Sequence, residues 1–352
     1  MRGNTRMLQH SNIITNKEIH ILTTVIRMYN FELVSAEKVR SVYMIITDRG
    51  KFCIRKIKHG RTKVKNGCIL TEELLSNNFT NVAKYFRTID GDFSVRYKKN
   101  TFYLTEWIEG EKCDLTNIDE AVNCIKILAQ FHSISNKIDH KKLHVHINLS
   151  NWPKIFASNL NYLEKFKRII VNKRIKNEFD VLFLENIDSF YNRGVSAIDM
   201  LNRSAYYNLS KLANDDETIC YNRFYYQNIV KRGGEYFICD FDRIMIDLQI
   251  SDLGKLIRQL MFKKNYGWNF DFAKILIEAY NSINRLTKEE LEIMFALIIF
   301  PNKFWKLGQR RYVKQKKWSE TKYLHKLNRI IAYNETQEKF FSDYLIFLEE
   351  YS

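Results

Sequence analysis

Proline, glycine and paired cysteines are scarce in this sequence. Its 352 residues include only 2 prolines and 12 glycines, which leaves little room for a glycine-rich phosphate-binding loop or a flexible linker between domains. The 6 cysteines are scattered and none forms a C-x-x-C pair, so neither a zinc site nor a disulfide framework is indicated. We therefore expect reduced thiols, as in a cytoplasmic protein.

Long apolar stretches are also missing. The first residues lack the core of about 7–15 apolar residues that a signal peptide has. No run approaches the roughly 20 residues of a membrane span, and the richest one, residues 293–300, is too short. We expect a chain that remains in the cytoplasm when it is made and has no membrane span. Hydrophobic residues nevertheless make up 45 % of it, which predicts a globular fold with a large core.

Positive charge is abundant, with a formal net charge of +16 and local clusters at residues 55–65 and 310–317. A field of this size favours acidic partners without saying which ones. No base-reading module is visible, so nucleic acid is not favoured as the main partner. Trp305, Tyr312 and Trp318 lie near the second cluster, and we expect these aromatic side chains to pack among helices, with the cations facing water.

The first hundred residues have the pattern of a small β-rich lobe. Residues 40–47 and 51–57 predict two strands around a tight turn, where Gly50 supplies the permissive backbone. Residues 93–97 and 101–107 predict further strands, and residues 68–76 a helix. A polar segment at 106–112 then suggests a boundary. We expect a β-rich N-terminal lobe over residues 1–106 and a larger helical lobe over residues 107–352.

The second part of the chain has helical periodicity. Capping signals precede three apolar stripes. They are Thr116 with Asp119, Ser251, and Thr287 with Glu290. His132 lies on one of these stripes, where we expect a histidine with internal hydrogen-bond partners rather than a ligand.

A predicted hairpin inside this helical half carries the polar side chains of greatest interest. Its strands, residues 228–231 and 236–239, are joined at Gly233-Gly234, so Asn228 and Asp240 are expected to lie close together. Asp242 follows two residues later. An amide oxygen beside a carboxylate is a suitable pair of ligands for Mg²⁺. The alternative is that these residues only cap the neighbouring loops.

The same stretch resembles a known family. Residues 220–229 read C-Y-N-R-F-Y-Y-Q-N-I, and the hairpin ends in I-C-D-F-D. This is similar to the catalytic core of the aminoglycoside and choline phosphotransferase-like kinases, and more closely to the CotS group of bacterial spore-coat proteins. Segments 47–60, 103–111, 251–261 and 286–312 resemble that group in the same order. The resemblance implies an α+β, two-lobed, protein-kinase-like fold of the aminoglycoside phosphotransferase type.

The resemblance also implies roles for individual residues. Asn228 and Asp240 match the metal-binding positions, with ATP and Mg²⁺ as the implied cofactors, unless the chain binds none. Asp242 matches the second carboxylate, and Glu106 lies in the segment that resembles the nucleotide-binding hinge. Arg55 stands at the position of the phosphate-binding lysine.

Either Glu72 or Glu73 could pair with Arg55. Strand alternation places Arg55 and Cys53 on one face and Lys56 on the other, so Lys56 could replace Arg55 only if the register shifted.

Two departures from the family pattern concern the chemistry. Arg223 occupies the position of the catalytic base, and Tyr221 and Asn222 replace the histidine and glycine beside it. A guanidinium cannot accept a proton in a protein, and general-base assistance is typically worth about 10²–10⁴-fold. Arg55 keeps the positive charge but presents a wide fork instead of a compact ammonium. Arg223 could pair with Asp240 or Asp242, or simply point to solvent.

We therefore expect a structural or scaffolding coat protein with degenerate catalysis. The resemblance implies synthesis in the cytoplasm of the mother cell, deposition in the spore coat, and other coat proteins as partners. Two alternatives remain open. One is an active ATP-dependent phosphotransferase that acts on a small molecule, with Asp242 orienting the hydroxyl. The other is a basic module that binds anionic polymers.

Overall fold

The computed structural model describes residues 14–58 and 60–351. Residues 1–13, for which we expect no signal peptide, lie outside the described residues, as does His59 within the first basic cluster. The chain divides into two compact units. The β-rich unit comprises the chain up to Lys112 together with Ile138–Val145 and Asn228–Ile244. The helical unit comprises Cys113–Lys137, His146–Gln227 and the chain from Met245.

Among its described residues the β-rich unit contains one large antiparallel sheet, a smaller three-stranded one and two α-helices. The large sheet has the strand order β1-β2-β3-β6-β4, and β5 pairs with β6. The elements are α1 (Asn16–Arg27), β1 (Leu33–Val39), β2 (Val42–Thr47), β3 (Gly50–Ile57), α2 (Arg61–Ser76), β4 (Tyr85–Phe86), β5 (Val95–Tyr97), β6 (Asn100–Glu106) and β7 (Glu111–Lys112). The predicted strands are thus confirmed. The predicted helix at 68–76 begins earlier, at Arg61.

Helix α1 begins at a capping box and packs on this sheet. The Thr15 hydroxyl accepts a hydrogen bond from the Glu18 N–H, and the Glu18 carboxylate accepts one from the Thr15 N–H. The hydroxyl of Tyr43 and the ammonium of Lys38 also donate to Glu18, at 2.7 and 3.2 Å. These bonds, led by the one from the Thr15 backbone, lower the pKa of Glu18 to about 2. They therefore hold the start of α1 against strands β1 and β2.

The hairpin predicted around Gly233-Gly234 is present, as β10 (Ile229–Arg232) and β11 (Glu235–Ile238). Both glycines have positive φ, as a two-residue hairpin turn requires. The sequence predicts this hairpin within the helical lobe, whereas the structure groups it with the β-rich unit. The physical reason is hydrogen bonding, because β10 pairs with β7 and Ile238 bridges to Val82. The division at residue 106 therefore differs from the observed one.

The helical unit consists of ten helices and three short strands among the described residues. The elements are α3 (Ile118–Ser135), β8 (His146–Ile147), α4 (Trp152–Val171), α5 (Glu178–Arg203), α6 (Tyr206–Asp215), β9 (Ile219–Cys220), β12 (Met245–Ile246), α7 (Ile250–Met261), α8 (Phe270–Asn281), α9 (Lys288–Ile299), α10 (Asn302–Gly308), α11 (Glu320–Ile331) and α12 (Asn334–Glu350). Strand β12 lies between β8 and β9. None of the helices that the structure describes is long and apolar enough to cross a membrane.

Of the three predicted helix starts, one is correct. Thr287 and Glu290 form a capping box at the start of α9. Helix α3 is capped by Asn117 instead of Thr116, because the Asn117 side chain accepts from the N–H groups of the next turn. Ser251 lies inside α7, which begins one residue earlier, and its side chain is buried.

The aromatic side chains near the second basic cluster pack inside the helical unit. The Tyr312 ring lies 5.5 Å from the Phe166 ring, and its hydroxyl donates to the Asp180 carboxylate at 2.8 Å. Trp318 packs against Tyr323, with 5.2 Å between ring centroids. For Tyr312 and Trp318 the structure agrees with the packing role that we expected.

Candidate functional site

Strand β3 fixes the position of Arg55. The β3–β6 ladder is regular and places Arg55 opposite Tyr103, while Lys56 is exposed. Cys53, which shares the face of Arg55, is buried. The strand therefore has the register that the sequence predicts, and the role of Arg55 at the lysine position stays a prediction.

The hairpin fixes the position of Asp240. The pairing of Ile229 with Ile238 sets the register, and the Cys239 N–H donates to the Asn228 carbonyl at 2.8 Å. Asn228 and Asp240 are thus brought to the same end of the hairpin, as predicted. Asp240 has a φ of 84°, in the left-handed region, where Asp and Asn are better tolerated than most residues. The Asp242 N–H donates a hydrogen bond to the Asp240 carboxylate at 3.2 Å, which helps to hold the backbone of Asp240 in this conformation.

Arg55 and Asp240 form an ion pair within the β-rich unit. Arg55 Nη1 lies 2.8 Å from Asp240 Oδ2, and the side chains are only 20 % and 8 % exposed. Burial acts to lower the pKa of Arg55, but the facing Asp240 carboxylate raises it well above its ordinary value. The guanidinium is therefore a permanent cation that neutralises Asp240. Its Nε atom is buried and has no hydrogen-bond partner among the described residues.

Two tyrosines lie beside this ion pair. Their rings stack with 5.7 Å between centroids, and the Tyr103 hydroxyl lies 3.5 Å from Asp240 Oδ1. The Tyr85 hydroxyl accepts a hydrogen bond from the Phe241 N–H at 3.1 Å. Burial and, next, the Asp240 charge raise the pKa of both phenols well above the ordinary value, so both stay protonated. The ion pair is thus enclosed by neutral aromatic side chains.

Neither tyrosine is among the site residues that the sequence predicts. Tyr103 could have been found, because its place opposite Arg55 follows from the β3–β6 register. Tyr85 has no comparable signal in the sequence. Helix α2 approaches it through Gly67, where an added Cβ would lie 2.9 Å from the Tyr85 hydroxyl.

The two glutamates of α2, Glu72 and Glu73, pair with side chains other than Arg55. Glu72 accepts two hydrogen bonds from the Arg87 guanidinium, at 2.8 and 2.7 Å. Glu73 lies 3.6 Å from the Lys142 ammonium. The expected pairing of Arg55 with Glu72 or Glu73 is therefore replaced by its ion pair with Asp240. Asp240 competes with the two glutamates for Arg55, and its side chain is more deeply buried than that of either glutamate.

The remaining predicted residues of the β-rich unit lie at element ends. Glu106 ends β6, and its carboxylate accepts a long hydrogen bond of 3.4 Å from the Lys84 N–H. Asp242 follows the hairpin and lies 3.8 Å from the Arg243 guanidinium. Both side chains are half-buried, and their predicted roles in nucleotide binding stay predictions.

The loop that carries Arg223 belongs to the helical unit and is held by Asp252. The Asp252 carboxylate on α7 accepts hydrogen bonds from the N–H groups of Tyr221 at 2.6 Å and Asn222 at 2.8 Å. Asn222 has a φ of 62°, so the chain turns sharply just before Arg223, which is exposed. The anchoring role of Asp252 was missed, although its segment was among those that resemble the family. The predicted pairing of Arg223 with Asp240 or Asp242 stays a prediction.

His132 contacts the Asp252 carboxylate that holds this loop. Its Nε2 lies 3.3 Å from Asp252 Oδ2, and its Nδ1 lies 2.7 Å from the Tyr280 hydroxyl. The ring is fully buried. The prediction of a core histidine with internal partners is therefore confirmed.

The observed ion pair bears directly on metal binding. Asn228 and Asp240 offer the hard oxygens that Mg²⁺ prefers. A guanidinium 2.8 Å from Asp240 already supplies the positive charge, however, and a divalent cation would meet it at close range. In this arrangement the residues do not fit a resident Mg²⁺ at Asp240.

Comparisons with known proteins agree with the fold. Residues 23–344 match the family described as "Spore coat putative kinase YutH". Spore coat protein S of Bacillus subtilis (strain 168) is 24 % identical over 334 residues, which are 92 % of this chain and 93 % of that protein.

Solved structures show the same architecture at low sequence identity. An aminoglycoside phosphotransferase from Alicyclobacillus acidocaldarius superposes with a TM-score of 0.80 at 16 % identity, over 93 % of this chain and 96 % of the other. A spectinomycin phosphotransferase in complex with ADP and spectinomycin gives 0.59 at 14 % identity, over 94 % and 99 %. The fold is the α+β, protein-kinase-like fold of the aminoglycoside phosphotransferases, and the chain belongs to the CotS-like family of spore-coat proteins described as "Spore coat putative kinase YutH".

Proposed function

We propose that this chain is a structural component of the spore coat in which a phosphotransferase fold has lost efficient catalysis. In this proposal the chain is made in the cytoplasm of the mother cell, enters the coat and binds other coat proteins. The B. subtilis relative is named as a spore coat protein, which supports this setting. The observation that carries the loss of catalysis is the buried Arg55–Asp240 ion pair.

The ion pair acts against catalysis by occupying both groups that phosphoryl transfer needs. Such transfer depends on positioning and on neutralising phosphate charge with a cation and a metal ion. Here the Arg55 cation faces the Asp240 carboxylate, and this cation neutralises Asp240. Arg223 at the base position adds a second obstacle, because it cannot take a proton from a hydroxyl. The two substitutions together support a scaffold rather than an active kinase.

Nucleotide binding tests the proposal. We expect the melting temperature of the wild-type chain to be unchanged, within 1 °C by our criterion, when ATP and MgCl₂ are added. The double variant Arg55→Lys/Arg223→Asp restores the family residues at these two positions, so we expect it to gain a Mg²⁺-dependent shift. The double variant Lys167→Arg/Lys154→Asp makes similar exchanges on α4 and should behave like the wild type. Phosphorylation of any alcohol or protein by the wild-type chain, lost in Asp240→Ala, would show that the chain is an active kinase.

A further inference from the structure

A small recess in the helical unit collects positive charge that the carboxylates of the described residues balance only in part. Its volume is about 20 Å³, which is room for one or two water-sized groups. Helices α5, α7, α9, α10, α11 and α12 contribute to its wall. Three cationic side chains reach it, those of Arg193, Arg258 and Lys303.

Arg193 is already satisfied by its neighbours on α12. Its Nη1 donates to Gln337 Oε1 at 2.5 Å, and its Nη2 lies 2.6 Å from the Glu338 carboxylate. Its charge is therefore compensated inside the unit. It forms part of the wall and is not available to a ligand.

Arg258 and Lys303 have no such compensation. No carboxylate of the described residues compensates either charge. Arg258 Nη1 instead donates to the Leu297 carbonyl at 2.5 Å, and the Lys303 ammonium rests 3.5 Å from the centroid of the Phe262 ring. A carbonyl and a ring face are weak substitutes for an anion. Both charges are thus held in place without a counter-charge.

Further cations surround the pair. Burial lowers the pKa of Lys303 to about 7, and repulsion from Arg329, Arg258 and Lys326 lowers it in the same direction. Burial likewise lowers the pKa of Arg258 to about 10. Holding these charges close together therefore destabilises the folded unit. An anion that enters the recess would reduce this destabilisation.

One neutral donor among the lining residues also lacks a partner within the described residues. Trp268 lines the recess, and its indole N–H is buried and has no hydrogen-bond acceptor among the described residues. A buried donor left unpaired costs about 1–3 kcal/mol. Two cations without a carboxylate partner and an indole N–H without an acceptor thus line the same recess.

The shape of the recess indicates which kind of anion it takes. Its walls include the rings of Phe262, Phe304 and Phe341, and its volume admits little more than two oxygen atoms. A glutamate side chain fits both conditions, because its methylene stem can lie against the rings while its carboxylate reaches the cations. The phosphodiester of a nucleic acid is tied to sugars on both sides and cannot enter end-on. We propose that this recess binds a carboxylate side chain of an acidic segment in a partner protein.

The binding of a fluorescein-labelled octaglutamate to the full chain, followed by fluorescence anisotropy at 150 mM salt, tests this proposal. We expect Lys303→Met to weaken the affinity at least tenfold and Lys303→Arg to restore most of it. Lys167→Met removes the same charge from an exposed ion pair on α4, so it should change the affinity less than twofold. Trp268→Phe removes only the unpaired N–H and should weaken binding severalfold.

The melting temperature separates this role from a structural one. If Lys303 serves a ligand, Lys303→Met should weaken binding while the melting temperature of the free chain rises or stays the same. A fall in melting temperature with unchanged affinity would refute the proposal. Equal weakening by Lys303→Met and Lys167→Met would also refute it, because the binding would then depend on net charge alone. So would a single-stranded oligonucleotide of equal charge that binds more tightly than octaglutamate and depends on Lys303.

This proposal is independent of the proposed function. It rests on the helical unit alone, and the variants used here leave Arg55, Asp240 and Arg223 untouched. A chain that proves to be an active kinase could still bind acidic segments at the recess, and an inactive chain could fail to bind them. The two experiments therefore fail separately.

Discussion

Replacing Asp240 by Asn would remove the only negative charge from the buried ion pair and leave the Arg55 guanidinium uncompensated. Breaking a buried pair by removing one partner typically costs about 3–5 kcal/mol. Arg55 keeps a fifth of its side chain in contact with solvent, so we expect the low end, about 3 kcal/mol of unfolding free energy. Asn tolerates the left-handed backbone of residue 240 as well as Asp does, so backbone strain should contribute little.

A double-mutant cycle measured by urea unfolding isolates the pair. Arg55→Met should also destabilise, because it leaves a carboxylate that is 8 % exposed without its cation. The double variant Arg55→Met/Asp240→Asn should recover most of the loss, since neither side chain then carries a charge.

The matched control is Asp188→Asn, which breaks the exposed pair with Lys167, where the side chains are 66 % and 38 % exposed. That change should cost at most about 1 kcal/mol. If Asp240→Asn costs no more than Asp188→Asn, or if the effects of the two single changes simply add, the ion pair does not stabilise the site as we argue.

Three further predictions concern the helical unit. Lys303 has a folded pKa of about 7, below its ordinary 10.5, so its charge destabilises the fold at neutral and lower pH. Lys303→Met should therefore stabilise the chain by up to about 4 kcal/mol at pH 7, since the pKa difference of about 3.5 units is worth about 1.4 kcal/mol per unit, and the gain should vanish near pH 10.5 in unfolding experiments. Gly254→Ala should cost about 1–3 kcal/mol, because its Cβ would lie 2.8 Å from Met294 and 2.9 Å from Leu297, and a melting curve like that of the wild type would contradict this. Asp252→Asn should speed hydrogen exchange at the N–H groups of Tyr221 and Asn222 at least tenfold, because an amide oxygen accepts more weakly than a carboxylate, and unchanged exchange would count against the anchor.

The sequence determined much of the local structure and of the family resemblance. Strand alternation placed Arg55 and Lys56 on opposite faces of β3, and Gly233-Gly234 set the hairpin that carries Asn228 and Asp240. These features depend on neighbours in the chain, so a pattern of a few residues is enough to predict them. The capping box of Thr287 with Glu290 was predictable for the same reason.

Only the tertiary structure decided which charges meet. Arg55 and Asp240 are 185 residues apart in the chain. From the sequence alone, the two glutamates of α2 were the partners that we considered for Arg55. The hairpin joined the β-rich unit because backbone hydrogen bonds to β7 and Val82 hold it there. Asp252 and Tyr85 likewise have partners that are distant in the chain. Burial and pairing energies depend on the final packing, so the ion pair and the uncompensated cations around Lys303 became visible only once the chain was folded.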